Sequence, residues 1–247
     1  MSRWSASTTS SSWSARLPRD VGVIVVAAGR GTRFGGDLPK QYLPLNGVPI
    51  LLRAVRPFAS HPDVAQVVVV LAPGESVSPP AFLAELEGET LTIASGGRAR
   101  SDSVAAGLEA LRARCEIVLV HDGARPFVDR GVIDAVIAHA RAGEGAVAAV
   151  PVSDTIKEAA GVDPTLIQRT VPRAGLWRAQ TPQGFPRHLL EQAYTHAGAG
   201  ASVATDDASL VEEFGGTVRL VPDSPRNMKI TTRDDLAVAE ALAGAGR

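Results

Sequence analysis

The chain has 247 residues, 45% of them hydrophobic, a length that suits one or two domains. With 25 Lys and Arg against 26 Asp and Glu, the net charge of -1 excludes the strong basic excess of a general nucleic-acid or anionic-membrane binder, though not a local basic pocket. A single cysteine, Cys115, excludes an intrachain disulfide and a cysteine-based zinc site, and no apolar run approaches the ~18 residues of a membrane span.

Residues 1–20 are rich in serine, carry three arginines and hold no acid before Asp20. They lack the apolar stretch of a secretory signal. Their composition suits an organelle transit peptide or a plain disordered extension, and the extension is the expectation. A single domain is expected over 21–247.

Val21 to Ala28 is an unbroken apolar run rich in β-branched residues, which predicts a strand buried on both faces. The glycine-rich turn Gly29 to Gly36 follows. Pro49 to Ser60 has helical spacing through Ile50, Leu51, Ala54, Val55 and Phe58. Strands are predicted at Gln66–Ala72, Leu91–Ala94, Glu116–Asp122 and Ala146–Val152. Between them fall a short helix around Phe82, Leu83 and Leu86, a helix capped by Ser101 and running to about Ala113, and a helix over Val132–Ala142. This alternation predicts an α/β fold: a doubly wound, mostly parallel Rossmann-like sheet with its active loops at the carboxyl ends of the strands.

After Val152 the alternation stops. Two short strand-like pieces, DTIKEA and LIQRTV, flank a turn-rich AGVDPT, which predicts a protruding β-hairpin arm over 153–180. An isolated hairpin is marginal in water, so the arm needs something to pack on, and a second subunit is expected. Helices near Arg187–His196 and Asp206–Phe214, a strand at Thr217–Val221 and a final helix opened by Thr232 and Asp235 complete the chain.

Glycines after a first strand let backbone N–H groups approach a phosphate. The loop is neither a P-loop, since GxxxxGK[ST] is absent, nor a dinucleotide fingerprint, since Gly29, Gly31 and Gly35 are spaced one residue too long. Arg33 and Lys40 add cations to it. Lysine is scarce, with only Lys40, Lys157 and Lys229 in the chain, so a retained lysine is a candidate for a compact point charge. HDGARPF, from His121 to Phe127, sets Asp122 and Arg125 just past a buried strand, where doubly wound folds bind ligands. His121 reads as packed or hydrogen-bonded, because the five histidines show no metal-ligand spacing.

AAGRGTRFG, PKQYL, GGRARSDSV, HDGARPF, TPQGF and NMKIT occur in that order and together closely resemble the 2-C-methyl-D-erythritol 4-phosphate cytidylyltransferase family, from Val21 to about Ala243. The resemblance implies a sheet of the nucleotidyltransferase type. It implies transfer of CMP from CTP to methylerythritol phosphate in the non-mevalonate isoprenoid pathway, with release of pyrophosphate, a required divalent cation (usually Mg2+), and a cytoplasmic homodimer joined through the arm, with no nucleic-acid or membrane partner. Members that act on ribitol 5-phosphate look very similar.

By the same resemblance, Ala27, Ala28, Gly29, Gly97 and Ser103 contact the nucleotide. Arg33 and Lys40 stabilise the reacting triphosphate. Asp122 and Arg125 lie where the two substrates meet. Thr155 and Arg173 reach the acceptor phosphate across a dimer interface, and Thr181 and Lys229 add phosphate and substrate contacts; Arg173 and Lys229 are grouped with Arg33 and Lys40 as catalytic. The position after Gly97 is often acidic in the family and is Arg98 here. No DxD pair is present, so the cation is expected on the triphosphate, with Asp122 as a possible metal partner. The remaining alternative is a nucleotide-binding regulator without turnover.

Overall fold

The computed structural model describes residues 19–29, 34, 38–86, 90–161, 163–198, 201 and 204–245. Residues 1–18 and most of the glycine-rich turn, including Gly31, Arg33 and Gly35, lie outside the described residues.

The strands are β1 (Val21–Val26), β2 (Pro44–Leu45), β3 (Val48–Pro49), β4 (Val64–Leu71), β5 (Leu91–Ser95), β6 (Ile117–Asp122), β7 (Gly145–Pro151), β8 (Ile156–Ala160), β9 (Asp163–Val171), β10 (Trp177–Pro186) and β11 (Val218–Pro222). The helices are α1 (Ile50–Ala59), α2 (Pro73–Val77), α3 (Arg100–Ala110), α4 (Arg130–Arg141), α5 (Arg187–Ala197), α6 (Asp207–Glu213) and α7 (Arg233–Gly244), with 3-10 turns at Lys40–Tyr42 and Ala81–Leu86.

Seven strands form one sheet in the order β11-β7-β10-β6-β1-β4-β5. β1 pairs in parallel with both β4 and β6, β4 with β5, and β7 with β11. Successive side chains of a strand point to opposite faces. Val21, Val23 and Val25 of β1 therefore pack with Leu51, Val55 and Phe58 of α1 and with Ile133 and Val136 of α4. Ile24 points the other way, to Val104 and Leu108 of α3 and Leu190 of α5. The continuous apolar runs of the sequence are thus the strands with helices on both sides. Close approach of α3 depends on Gly107, where a Cβ would stand 2.4 Å from Ile24 Cγ2.

Three expectations are corrected. β10 lies inside the main sheet, antiparallel to β6 and β7, so the arm ends before Trp177 rather than at 180. The hairpin itself forms, with β8 antiparallel to β9. Ser101 does not cap α3. The cap residue is Ala99, two residues earlier, and the Asp102 carboxylate accepts the N–H groups of Arg98 (3.0 Å) and Ala99 (2.9 Å). That helix also stops at Ala110, short of Ala113. The C-terminal cap is as expected, Thr232 Oγ1 accepting from Asp235 N at 3.2 Å.

β1 is where the sheet changes direction: the chain runs outward through β4 and β5 on one side and returns to β6 on the other. The loops leaving β1 and β6 therefore diverge and open a crevice at their carboxyl ends. Val26 and Asp122, the last residues of the two strands, are register partners at its floor.

Candidate active site at the strand switch

The crevice is a cleft of about 290 Å³. Ala27, Ala28, Gly29, Gly97, Ser103, Lys40, Asp122 and Lys229 all line it, together with Gln41, Arg98, Ala99, Arg100, Gly123, Ala124 and Thr231. Residues scattered over two hundred positions are brought together by the ends of β1 and β6, the start of α3 and the segment before α7. Gly97 is required by packing, because a Cβ there would stand 2.2 Å from Asp102 Cβ and displace the cap of α3.

Asp122 organises the charge. Its Oδ2 is 3.1 Å from Lys229 Nζ and 3.2 Å from Arg125 Nε, and its Oδ1 is 3.7 Å from Arg100 Nε. Burial raises a carboxylate's pKa, but Lys229, Arg100 and Arg125 outweigh it and hold Asp122 well below the usual range. The carboxylate stays ionised and keeps three cations within its field.

Lys229 is held from behind. Arg125 Nη1 donates to Asn227 O (2.7 Å), Asn227 Nδ2 to Thr181 O (2.8 Å) and Ile230 N to Ala124 O (2.9 Å). Ile230 is fully buried. The segment carrying Lys229 is thereby stitched to the turn after β6.

Arg125 and Thr181 are buried behind Asp122, at 9% and 4% exposure, and do not line the cleft. Asp122 N donates to Thr181 Oγ1 (3.0 Å), whose hydroxyl pairs with His121 Nδ1 (3.1 Å), and His121 Nε2 meets Arg125 O (3.1 Å). A carbonyl only accepts, so Nε2 carries the ring proton, and Nδ1 accepts from the threonine. Burial lowers the His121 pKa to about 4, which keeps the ring neutral. His121 is a packed, hydrogen-bonded residue, as its sequence context suggests.

Thr155 and Arg173 are exposed on and beside the arm, outside the cleft of their own chain. The Arg173 guanidinium donates to Ser153 O. Leu166 and Ile167 of β9 are each 58% exposed. Lys157 donates to Thr170 Oγ1 at 2.8 Å, a cross-strand contact within the hairpin.

Sequence reasoning missed Arg100, Asp207 and Gln41. Arg100 Nη1 meets the fully buried Asp207 at 2.8 Å, and Tyr194 OH donates to the other oxygen of that carboxylate at 2.7 Å. Arg100 stands inside the quoted GGRARSDSV, where its place in the motif was the available signal. Gln41 Nε2 donates to Ala27 O at 2.7 Å and to Gly29 O at 3.4 Å.

Among the described residues no three His, Cys, Asp or Glu side chains gather to hold a metal ion. Asp122 is the carboxylate lining the cleft, and both of its oxygens face cations. The described residues therefore do not fit a protein-held metal. No helix among them is long and apolar enough to cross a membrane.

The chain is a doubly wound α/β protein of the class that binds ligands at the strand switch, and here that crevice is lined by Lys40, Arg98, Arg100, Lys229 and one buried carboxylate. The sequence model of the 2-C-methyl-D-erythritol 4-phosphate cytidylyltransferases matches residues 21–244, and the chain is a member of that family. It is 48% identical over 223 residues to a protein of Rhodospirillum rubrum named bifunctional enzyme IspD/IspF, covering 90% of this chain and 56% of that one. A second bifunctional relative, from Solidesulfovibrio magneticus, is 46% identical and again covered over 56% of its length, so the chain spans a little over half of these relatives. A 2-C-methyl-D-erythritol 4-phosphate cytidylyltransferase of Alkaliphilus oremlandii is 40% identical, with 89% of this chain and 93% of that one covered. Among solved structures, the cytidylyltransferase of that name from Thermus thermophilus superposes with a TM-score of 0.75 at 38% identity, over 91% of this chain and 98% of that one.

Proposed function

We propose that this chain transfers CMP from CTP to 2-C-methyl-D-erythritol 4-phosphate, giving 4-diphosphocytidyl-2-C-methyl-D-erythritol and pyrophosphate in isoprenoid precursor biosynthesis. The observation that carries the reading is the cationic crevice at the strand switch of a chain in this family, with Lys40 and Lys229 both on its wall.

The acceptor is a phosphate monoester whose second pKa is about 6, so it is largely ionised at neutral pH and needs no general base. The obstacle is bringing one polyanion onto another. In this reading Ala27, Ala28, Gly29, Gly97 and Ser103 seat the nucleotide. Lys40, with Arg33, offsets charge growing on the triphosphate as the monoester oxygen bonds to the α-phosphorus and the bond to pyrophosphate breaks. Lys229, fixed by Asp122, orients the acceptor. A divalent cation, magnesium in this reading, would be held by the triphosphate rather than by protein ligands and would offset phosphate charge there. Thr155 and Arg173 act on the acceptor phosphate of a neighbouring subunit in a cytoplasmic homodimer. Leu166 and Ile167, exposed on opposite faces of β9, support that arrangement, since large apolar side chains left in water are stabilised by being covered.

The test is pyrophosphate release with CTP against a panel of polyol phosphates. Turnover with methylerythritol phosphate well above that with ribitol 5-phosphate is expected; the opposite order overturns the substrate assignment, and no release with any acceptor overturns the activity.

A further inference from the structure

Lys40 sits in a 3-10 turn of three residues, Lys40–Tyr42, which has no side-chain cap at its start. Turns of this kind have poor hydrogen-bond geometry, so neighbouring contacts must set their orientation. Two side chains do so here. Tyr42 leans away from the cleft, donating its hydroxyl to Glu75 Oε2 at 2.7 Å and meeting the Phe82 ring edge-on. Gln41 reaches the other way, and its single amide nitrogen donates to Ala27 O at 2.7 Å and to Gly29 O at 3.4 Å.

Those carbonyls belong to residues just after β1, the start of the loop that lines the cleft together with Lys40. Gln41 is 3% exposed, so its tie to the loop is shielded from water. A carboxamide suits the task. It presents two donors on one atom without burying a charge, whereas a lysine there would carry an ammonium into the protein interior. A trans peptide holds its C=O and N–H antiparallel, so anchoring the Ala27 carbonyl also fixes the direction of the Ala28 N–H.

We propose that Gln41 is a positioning residue for the transfer: its amide locks the turn bearing Lys40 to the loop that receives the nucleotide, so that cation and loop keep one spacing. The inference rests on the reading of Lys40 given above.

The test is a double-mutant cycle on the full chain with Gln41→Met, which keeps the length of the side chain and removes both donors. Values of kcat, and of KM for CTP and for methylerythritol phosphate, are measured for the wild type, Gln41→Met, Lys40→Ala and the double variant. Displacement of a reacting group by about 1 Å costs on the order of 10²-fold. Gln41→Met should therefore lower kcat by about that factor with the methylerythritol phosphate KM nearly unchanged, and should cost less than about threefold in the Lys40→Ala background. A merely structural glutamine lowers turnover by the same factor in both backgrounds. That result, or wild-type kcat in Gln41→Met, overturns the proposal. If Gln41→Met does not fold, Gln41→Asn, which retracts the amide by one methylene, is read in the same cycle with the same two outcomes. If Lys40→Ala itself keeps wild-type turnover, the assignment of Lys40 has failed and the role of Gln41 falls with it, a result distinct from a silent Gln41→Met beside a crippled Lys40→Ala.

Discussion

Lys229 Nζ lies 3.1 Å from Asp122 Oδ2, although 107 residues separate the two in the chain. The pair joins the end of a central strand to the segment before the last helix, and its two members differ in what they sustain. The Asp122 side chain is 10% exposed and faces Arg125, itself 11% exposed; the Lys229 side chain is 38% exposed. Removing one partner of a buried charge cluster leaves the others uncompensated, so Asp122→Asn should cost about 3 kcal/mol of stability. Lys229→Ala removes only the most exposed member and should leave the melting temperature close to wild type while abolishing most turnover. Denaturant titration and turnover on the two variants check this; equal destabilisation by both would contradict it.

A second prediction separates the lysines. Lys40 lines the cleft, whereas Lys157 spans a hairpin rung to Thr170. Arginine keeps charge but not the compact geometry of an ammonium, so Lys40→Arg should still lose most turnover and Lys157→Arg should be nearly silent. Lys40→Ala should cost on the order of 10²–10³ in kcat, as loss of a preorganised donor does. Equal effects of the two arginine substitutions would defeat the assignment.

Much of this arrangement is legible in the sequence, for a physical reason. Strands covered on both faces must be apolar throughout, so β1, β4, β6 and β7 stand out as runs of valine, isoleucine, leucine and alanine. β10 escapes that logic. It is central, yet it contains Gln180, Thr181 and Gln183, which are buried because each finds partners. Gln183 donates to Asp206 Oδ2 at 2.8 Å and accepts from Ala208 N at 3.1 Å, and Thr181 accepts from Asp122 N at 3.0 Å. Polar residues satisfied by distant groups leave no periodic signature. Gln41 and Asp207 escape for the same reason: their roles are set by Ala27, Gly29, Arg100 and Tyr194, which only the fold brings near.

The third prediction concerns pH. Burial holds His121 neutral, with its pKa lowered from 6.5 to about 4. Between these values the unfolded chain binds a proton that the native chain does not, so this contribution to stability is intact above pH 6.5 and is lost as pH falls toward 4. By pH 5 the loss is about 2 kcal/mol. Asp122 adds to it in the same direction at lower pH, because its depressed pKa stabilises the fold above the ordinary carboxylate range and that stability disappears on acidification. Denaturant midpoints from pH 7.5 to 4.5 should fall in the wild type and fall less steeply in His121→Gln. Parallel slopes would show that His121 does not titrate in this way.

The fourth prediction tests the shared site. Lys40→Ala and Arg173→Ala are each expected to be inactive alone. In a mixed dimer, one site combines both defects and the other has neither. With random pairing about half the dimers are mixed, so roughly a quarter of full activity should return under two-fold symmetry. If Arg173 serves its own chain, none returns. Co-expression with mixed dimers verified by mass distinguishes the two.

In the proposed reaction the acceptor's own phosphate oxygen displaces pyrophosphate from CTP in one step, with the protein supplying seats and cations rather than a nucleophile. The most direct measurement uses CTP carrying sulfur stereospecifically at the α-phosphorus, with methylerythritol phosphate as acceptor, and reads the configuration of the thiophosphate product by 31P NMR. A single in-line displacement predicts a product of inverted configuration. A product of retained configuration requires a nucleotidyl-enzyme intermediate and rules out direct transfer.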